Sequence, residues 1–489
     1  MEYDIILISG EVYFDHPLSG AAIIKRWLEK NGFTVGVIET PQTEEDITEL
    51  GKPKLFFGIT SGSMDSMLRN YTPLKKIRNE DKHQKYSHSC PNRAVIVYSN
   101  WIRSKFKYSI MVLGGTEASL RRFIHYDYWD NKLRKPILFD TRADILAYGN
   151  SEKQILEIAN KVKNKKSLIG IPGTCIITKE VPKDVTLLPS FDEVSNSKEK
   201  FCDFQNLLTN EKNLIQKIDN RYVLQFKSPI YTSKDLDEYY DLGFSRQVPK
   251  EMRGFQFSVV SHRGCIGGCH FCAINLIQGN KIISRSEKSI LKEIEEIKNH
   301  PKFRGNIDDL GGPSANMYGL DCNKCNNDCF ECNKKPKGRW LKLLKKARKL
   351  ARIYIKSGVR YELLTDEETS ELYEHHIFDT LRIAPEHINK NILTLMNKNR
   401  SDFTKFIKGK SKLSYYFMMC HPGSTMKEAK ELADIVKKLD CPDAVQMFTP
   451  TPMTISTCMY YTGLNPKNKK AVYVPYTYIE KKKQKRLLL

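Results

Sequence analysis

An α/β fold is predicted, in two parts: a Rossmann-like N-terminal domain over residues 1–183 and a six-fold run of βα units over residues 255–465. Three observations carry it. The first third of the chain alternates short apolar runs that end in glycine with stripes of helical period, which is how a parallel, doubly wound sheet is written. Beyond residue 255 the same alternation resumes with six more apolar runs. The first of these leads directly into a glycine-rich loop with three cysteines, and βα units place their chemistry at the carboxyl ends of their strands.

Asp4 to Ser9 is the first apolar strand and stops at Gly10. Ala21 to Lys30 carries a helical stripe (Ala22, Ile23, Ile24, Trp27, Leu28), and Asn31-Gly32 ends it. Thr34 to Ile38, Lys54 to Thr60, Ser109 to Leu113 and Ala143 to Tyr148 follow as strands, then Glu152 to Lys163 as a helix. Ser61 to Ser66, after the third strand, reads either as the lining of a ligand crevice at a strand's carboxyl end or as a loop with an N-cap. Residues 68–108 are polar with short apolar clusters. Residues 184–254 read as a connecting region with a few short helices, including Asp237-Glu238-Tyr239-Tyr240-Asp241-Leu242.

The six later strands are Phe257 to Val260, Asn306 to Leu310, Ile353 to Lys356, Asp379 to Ile383, Ser414 to Cys420 and Val445 to Phe448. Ser286 suits the start of the first helix, whose buried face is Ile290, Leu291, Ile294 and Ile297. Thr425 and Glu428 have capping-box spacing. The basic stretch Lys334 to Lys349 reads as a solvated amphipathic helix, and residues 466–489 as a basic tail whose last ten are disordered.

The formal charge of +22 admits a nucleic-acid partner, although the lysines are spread over the whole chain. No apolar run reaches the length of a membrane span, and Met-Glu-Tyr-Asp-Ile-Ile-Leu-Ile has no cationic leader, so a cytoplasmic protein is expected. There are thirteen cysteines, seven of them between Cys265 and Cys332, a distribution that points to metal ligation and not to disulfides.

Cys265, Cys269 and Cys272 form a CxxxCxxC triplet within Ser-His-Arg-Gly-Cys-Ile-Gly-Gly-Cys-His-Phe-Cys. Three thiolates leave one iron of a [4Fe–4S] cube open. Gly264, Gly267 and Gly268 suit a loop that wraps closely around it. A structural zinc site, with His262 or His270 as fourth ligand, is the alternative. A second group, Cys322, Cys325, Cys329 and Cys332, has the spacing CxxCxxxCxxC inside a polar insertion, residues 313–338, and is expected to hold a second metal, zinc or iron–sulfur.

The first triplet resembles the signature of radical S-adenosylmethionine (SAM) enzymes, and Arg-Gly-Cys-x-Gly-Gly-Cys-x-Phe-Cys-Ala-Ile resembles the YgiQ-type family. Gly311-Gly312-Pro313, Ala384-Pro385-Glu386-His387 and the stretch from Gln446 to Met453 are also similar to that family. The resemblance implies a cobalamin-binding-like N-terminal domain and a partial (β/α)6 barrel. It implies a [4Fe–4S] cluster on Cys265, Cys269 and Cys272, with S-adenosyl-L-methionine on the open iron. An external reducing electron donor, SAM cleavage to a 5′-deoxyadenosyl radical and an unknown substrate complete what it implies. Phe271 would lie near the adenine, and Gly311 and Gly312 would hold the amino group. Glu386 would accept hydroxyl hydrogen bonds or serve as an N-terminal charge for the helix near Asn389. His387 reads as a turn residue, and Tyr460 and Tyr461 as substrate neighbours or a closure of the barrel end.

The cobalamin motif DxHxxG is not met by Asp15-His16-Pro17-Leu18-Ser19-Gly20, which reads as a turn with a capping acid. The rival readings are a cobalamin-dependent methyltransferase, an RNA- or protein-methylthiolating enzyme and a non-catalytic zinc-containing RNA-binding protein. Methylthiolation needs a further three-cysteine cluster in the N-terminal domain, where only Cys90 and Cys175 stand.

Overall fold

In the computed structural model, residues 2–78, 90–322, 330, 332, 336, 338–398, 402–441 and 444–488 are described. They form two compact units, 1–230 with 242–251 and 451–469, and 231–241 with 252–450 and 470–489.

The first unit is built on a nine-stranded sheet. Its strands are β1 (Ile5–Ser9), β2 (Val35–Glu39), β3 (Phe56–Thr60), β4 (Ile110–Leu113), β5 (Ile145–Ala147), β6 (Thr174–Thr178), β7 (Thr186–Leu188), β8 (Leu214–Ile218) and β9 (Arg221–Gln225). They lie in the order β2-β1-β3-β4-β5-β6-β9-β8-β7. The first five are parallel, as the glycine-ended apolar runs predict. β1 is buried on both faces, hence its unbroken Ile-Ile-Leu-Ile. β6 pairs antiparallel with β5 and with β9, and β9 with β8, while β7 joins β8 in parallel at the edge. This corrects the reading of residues 184–254 as a connector. Three of its segments complete the sheet, and Leu214–Ile218 and Arg221–Gln225 form a hairpin turned at Asp219, φ +52°. Within the polar 68–108 stretch, helix Ala94–Lys105 buries Val95, Tyr98 and Ile102, a stripe diluted by its serines and basic residues.

Among the described residues the second unit carries seven short strands in parallel pairings, the second position of the series being split into Asn306–Ile307 and Asp309–Gly311. Ser258–Val260 pairs with Asp309–Gly311, and Asn306–Ile307 with Arg352–Ile353. A single bridge joins Val359 to Ile383, and Leu381–Glu386, Leu413–Met419 and Val445–Met447 complete the series. This is the (β/α)6 arrangement expected. Its core joins strand residues Val259, Leu310, Ile383 and Phe417 to helix residues Ile294, Trp340, Leu344 and Leu432. Ser286 caps helix Glu287–Lys298, and Thr425 with Glu428 forms the capping box of Met426–Lys438.

A further expectation is overturned. The chain end is not disordered: Tyr478–Arg486 is a helix with a Thr477–Glu480 capping box. Gln484, fully buried, takes the N–H of Cys420 at 3.2 Å and donates to the Ser424 carbonyl at 2.8 Å. Tyr460 is buried and Tyr461 half-buried. Their helix, Ile455–Thr462, belongs to the first unit, where Tyr461 packs on Tyr126 at 4.9 Å and Phe201 at 5.1 Å.

Candidate active site

The cysteine loop leaves the first barrel strand through a two-residue ribbon, His262–Arg263 against Ile283–Ser284, which closes the loop at its base. Arg263 is fixed from helix Ser233–Tyr240: its Nε donates to the Tyr240 hydroxyl at 3.1 Å, and its guanidinium lies over that ring. Asp237 of the same helix accepts the N–H of Ser286 at 2.9 Å. The acidic-aromatic stretch ahead of the barrel therefore clamps the loop. The loop's far side is pinned by the end of helix Lys390–Leu395. The His270 N–H donates to the Met396 carbonyl at 3.0 Å, and the Asn397 amide to the Gly268 carbonyl at 2.9 Å.

Gly264 has φ +86°, and a Cβ there would stand 1.9 Å from the Lys281 carbonyl oxygen, so glycine is obligatory. Cys265 is buried and its sulfur takes the N–H of Gly267 at 3.4 Å. Burial pushes its thiol up, and Arg360 pulls it back. Cys272 is pushed up to about 12, mainly by burial, with Cys269, Cys265 and Glu386 adding to it. Cys269 takes a hydrogen bond from Arg360 Nη2 at 3.0 Å.

Phe271 is half-buried and meets His421, after the fifth strand, edge-on at 6.4 Å. Gly311 ends the second strand. Its carbonyl accepts both the N–H (2.8 Å) and the hydroxyl (3.0 Å) of Ser261, which leaves Gly312 as the open part of the pair. A Cβ at Gly311 would strike Ser357 Oγ at 2.4 Å, and one at Gly312 the His262 ring at 2.5 Å. His262, His387 and His421 are buried and stay neutral, at about 3, 4 and 3.

Glu386 ends the fourth strand at φ +68°. Burial lifts its carboxyl to about 7, against the pull of Lys398 and Arg360 and with a push from Glu362. The helix that follows is capped by Asn389, which accepts from the N–H groups of Asn391 and Ile392, so the helix-end role left open for Glu386 falls to Asn389. His387 Nδ1 accepts the Asn389 N–H at 3.0 Å, a turn contact as expected. Sequence reasoning missed Arg360, Glu362 and Lys398. Lys398, 3% exposed, reaches the Ala384 carbonyl and faces Glu362 at 3.8 Å, while Arg360 faces Glu362 at 3.5 Å. Arg360 thus links the Cys269 sulfur to Glu362, and Glu362 links it on to Lys398.

Of the second cysteine group, Cys322 and Cys332 are half-buried, and Cys325 and Cys329 lie outside the described residues. Phe330 is buried against Cys265, Ile282 and Met317. In the first unit, Asp15 does not cap a helix but pairs with Arg26, and Ser19 caps helix Gly20–Lys30. His16 Nδ1 accepts the Leu18 N–H at 3.0 Å and its Nε2 meets Arg246 at 3.4 Å.

Residues 1–259 match the family described as Radical SAM N-terminal, 259–436 the Radical SAM superfamily, and 443–488 a domain of unknown function. A UPF0313 protein of Methanocaldococcus jannaschii is 42% identical, covering 100% of this chain and 89% of its own. One of Fusobacterium nucleatum is 39% identical, covering 99% and 95%. The chain belongs to the UPF0313 family of radical SAM proteins. It is a radical SAM enzyme whose substrate is unknown, in line with the YgiQ-type resemblance and against a non-catalytic zinc protein. Solved structures share the UPF0313 chain's fold. The radical SAM methyltransferase TsrM of Kitasatospora setae, with cobalamin and a [4Fe–4S] cluster, has a TM-score of 0.54 at 13% identity, covering 94% of this chain and 76% of that one. The cobalamin-dependent radical enzyme OxsB has 0.51 at 12%, covering 93% and 55%. Among the described residues no helix is long and apolar enough to cross a membrane.

Proposed function

We infer that Cys265, Cys269 and Cys272 are the protein ligands of the [4Fe–4S] cluster, and that SAM takes the remaining iron beside Phe271, Gly312 and Glu386, with Gly311 shaping the turn. What supports this reading is the CxxxCxxC triplet on one glycine loop that follows the first barrel strand. The residues fit the group. Gly264 lets the loop close under the thiols, a backbone N–H and a guanidinium point at their sulfurs, and no side chain intrudes at 267 or 268. Cluster and SAM together supply one-electron cleavage of SAM to methionine and a 5′-deoxyadenosyl radical. The protein's own part is to bind, orient and exclude water. Cys265 and Cys272 must give up protons when iron binds. Glu386, at about 7, can accept from or donate to a hydroxyl at neutral pH. The test is 5′-deoxyadenosine formation by anaerobically reconstituted protein with SAM and dithionite. Wild type is expected to form it and Cys269→Ala not to. Equal product from both overturns the assignment.

The same reading gives Cys322, Cys325, Cys329 and Cys332 a second metal, zinc or iron–sulfur, supported by their paired spacing. Replacing Cys322 and Cys325 by alanine is expected to lower metal per chain, and an unchanged content sinks the idea. A cytoplasmic location and an external electron donor belong to the same reading, and the +22 charge admits a nucleic-acid partner. A cobalamin-dependent methyltransferase is the second reading, favoured by the fold shared with TsrM and OxsB. The crevice does not fit a histidine-ligated form, because both His16 nitrogens are engaged. Across it, Glu11 takes the N–H of Ser63 at 2.9 Å and pairs with Arg69 at 3.1 Å. Cobalamin retained through gel filtration would revive it.

A further inference from the structure

Arg360 lies one residue past the bridge between Val359 and Ile383. It is 7% exposed, and its backbone pairs in both directions with the Asn316 amide, at 2.9 and 2.8 Å. So held, its guanidinium donates to Cys269 Sγ at 3.0 Å, lies over the Phe330 ring at 5.4 Å and faces Glu362 at 3.5 Å. It also stands where a side chain at 267 would be: a Cβ on Gly267 would come 2.0 Å from Nη2.

The three glycines of the loop differ. Gly264 and Gly268 have φ of +86° and +59°, the left-handed region that favours glycine. Gly267 is not in that region, so its backbone would accept alanine. What excludes a side chain at 267 is the guanidinium.

We propose that Arg360 makes the cluster easier to reduce through its charged hydrogen bond to the Cys269 sulfur, and that Gly267 is glycine to admit that guanidinium. The proposal rests on the assignment of Cys269 as a cluster ligand. The step is a one-electron reduction, with the electron coming from the external donor. The reduced cluster carries one more negative charge, shared with its thiolate sulfurs. A cationic donor on one of those sulfurs binds the reduced form more strongly than the oxidised form, and so raises the potential. Burial strengthens the effect, and Phe330 keeps water from the guanidinium. Glu362 offsets part of the charge but sits on the side away from the sulfur bond, at Nη1.

The experiment compares wild type, R360K, R360Q, G267A and the R360Q/G267A double variant after anaerobic reconstitution. Iron and sulfide per chain establish the cluster, and electron paramagnetic resonance during a dithionite titration gives its midpoint potential. R360Q and G267A should each disfavour reduction about tenfold or more, about 59 mV for one electron. R360K should fall between them and wild type, because lysine keeps the charge and loses the planar fork. The double variant should shift no further than either single one, since both changes remove the same bond. That non-additivity separates loss of the guanidinium from the methyl's own contact with Cys265 Sγ, built at 3.2 Å. Unchanged midpoints in R360Q and G267A, or fully additive shifts, overturn the proposal and leave the ligand assignment standing. A wild type that binds no cluster overturns the assignment instead. If R360Q holds no iron, the G267A midpoint alone decides.

Discussion

Glu386 shows what burial does to one carboxyl. Its folded pKa stands near 7 against 4.5 in an open chain, because its charged form is poorly solvated beside Cys272 and Glu362. A raised acid pKa means that the folded state holds the proton more tightly. Its contribution to stability is fully present below about 4.5, is lost as pH rises from there to about 7, and stays lost above. In metal-free protein, Glu386→Gln is therefore expected to raise stability at pH 8 by on the order of 1–3 kcal/mol and to change it little at pH 4.5. Urea denaturation at the two pH values checks this, and an equal effect at both would refute it. At this scale the cysteine triplet was legible because its eight residues are contiguous. Arg360, Glu362 and Lys398 were not. A lone arginine in Ser-Gly-Val-Arg carries no local mark, and its partner Cys269 lies 91 residues away.

Helices with one buried face were read within a residue or two, as at Gly20–Lys30, Glu152–Lys163 and Glu287–Lys298, and so were the parallel strands of the first sheet. Period and cap agree there, so a local window suffices. The terminal helix Tyr478–Arg486 was missed because five of its nine residues are lysine or arginine, which resembles a solvated tail. It is held by Lys481 and Gln484, three residues apart on one face and both buried. Gln484→Ala removes the partner of the Cys420 N–H and of the Ser424 carbonyl. About 1–3 kcal/mol of stability should go with them. Amide exchange over residues 478–486 should accelerate, while that of helix Glu287–Lys298 should not. Exchange that is unchanged would mean the glutamine does not anchor the helix.

Neither compact unit is one continuous piece of chain, since 451–469 returns to the first unit after the barrel residues. Phe201, Tyr126 and Arg122 lie near the chain's beginning, yet their partners there are Tyr461 and Met453. A fragment of residues 1–250 should bind a hydrophobic dye and associate on gel filtration. The same fragment fused through a flexible linker to residues 451–469 should do neither. A monomeric, dye-free fragment 1–250 would refute the dependence. By itself the sequence determined the cysteine loop, the parallel half of the first sheet and the strand series of the barrel. Each is written in spacing or period over a few contiguous residues, and the backbone must obey those. Only the tertiary structure decided the mixed end of the sheet, the return of residues 451–469 and the contact of Arg360 with the Cys269 sulfur. These depend on pairs such as Arg122 and Met453, 331 residues apart, whose energies exist only once the chain has closed around them.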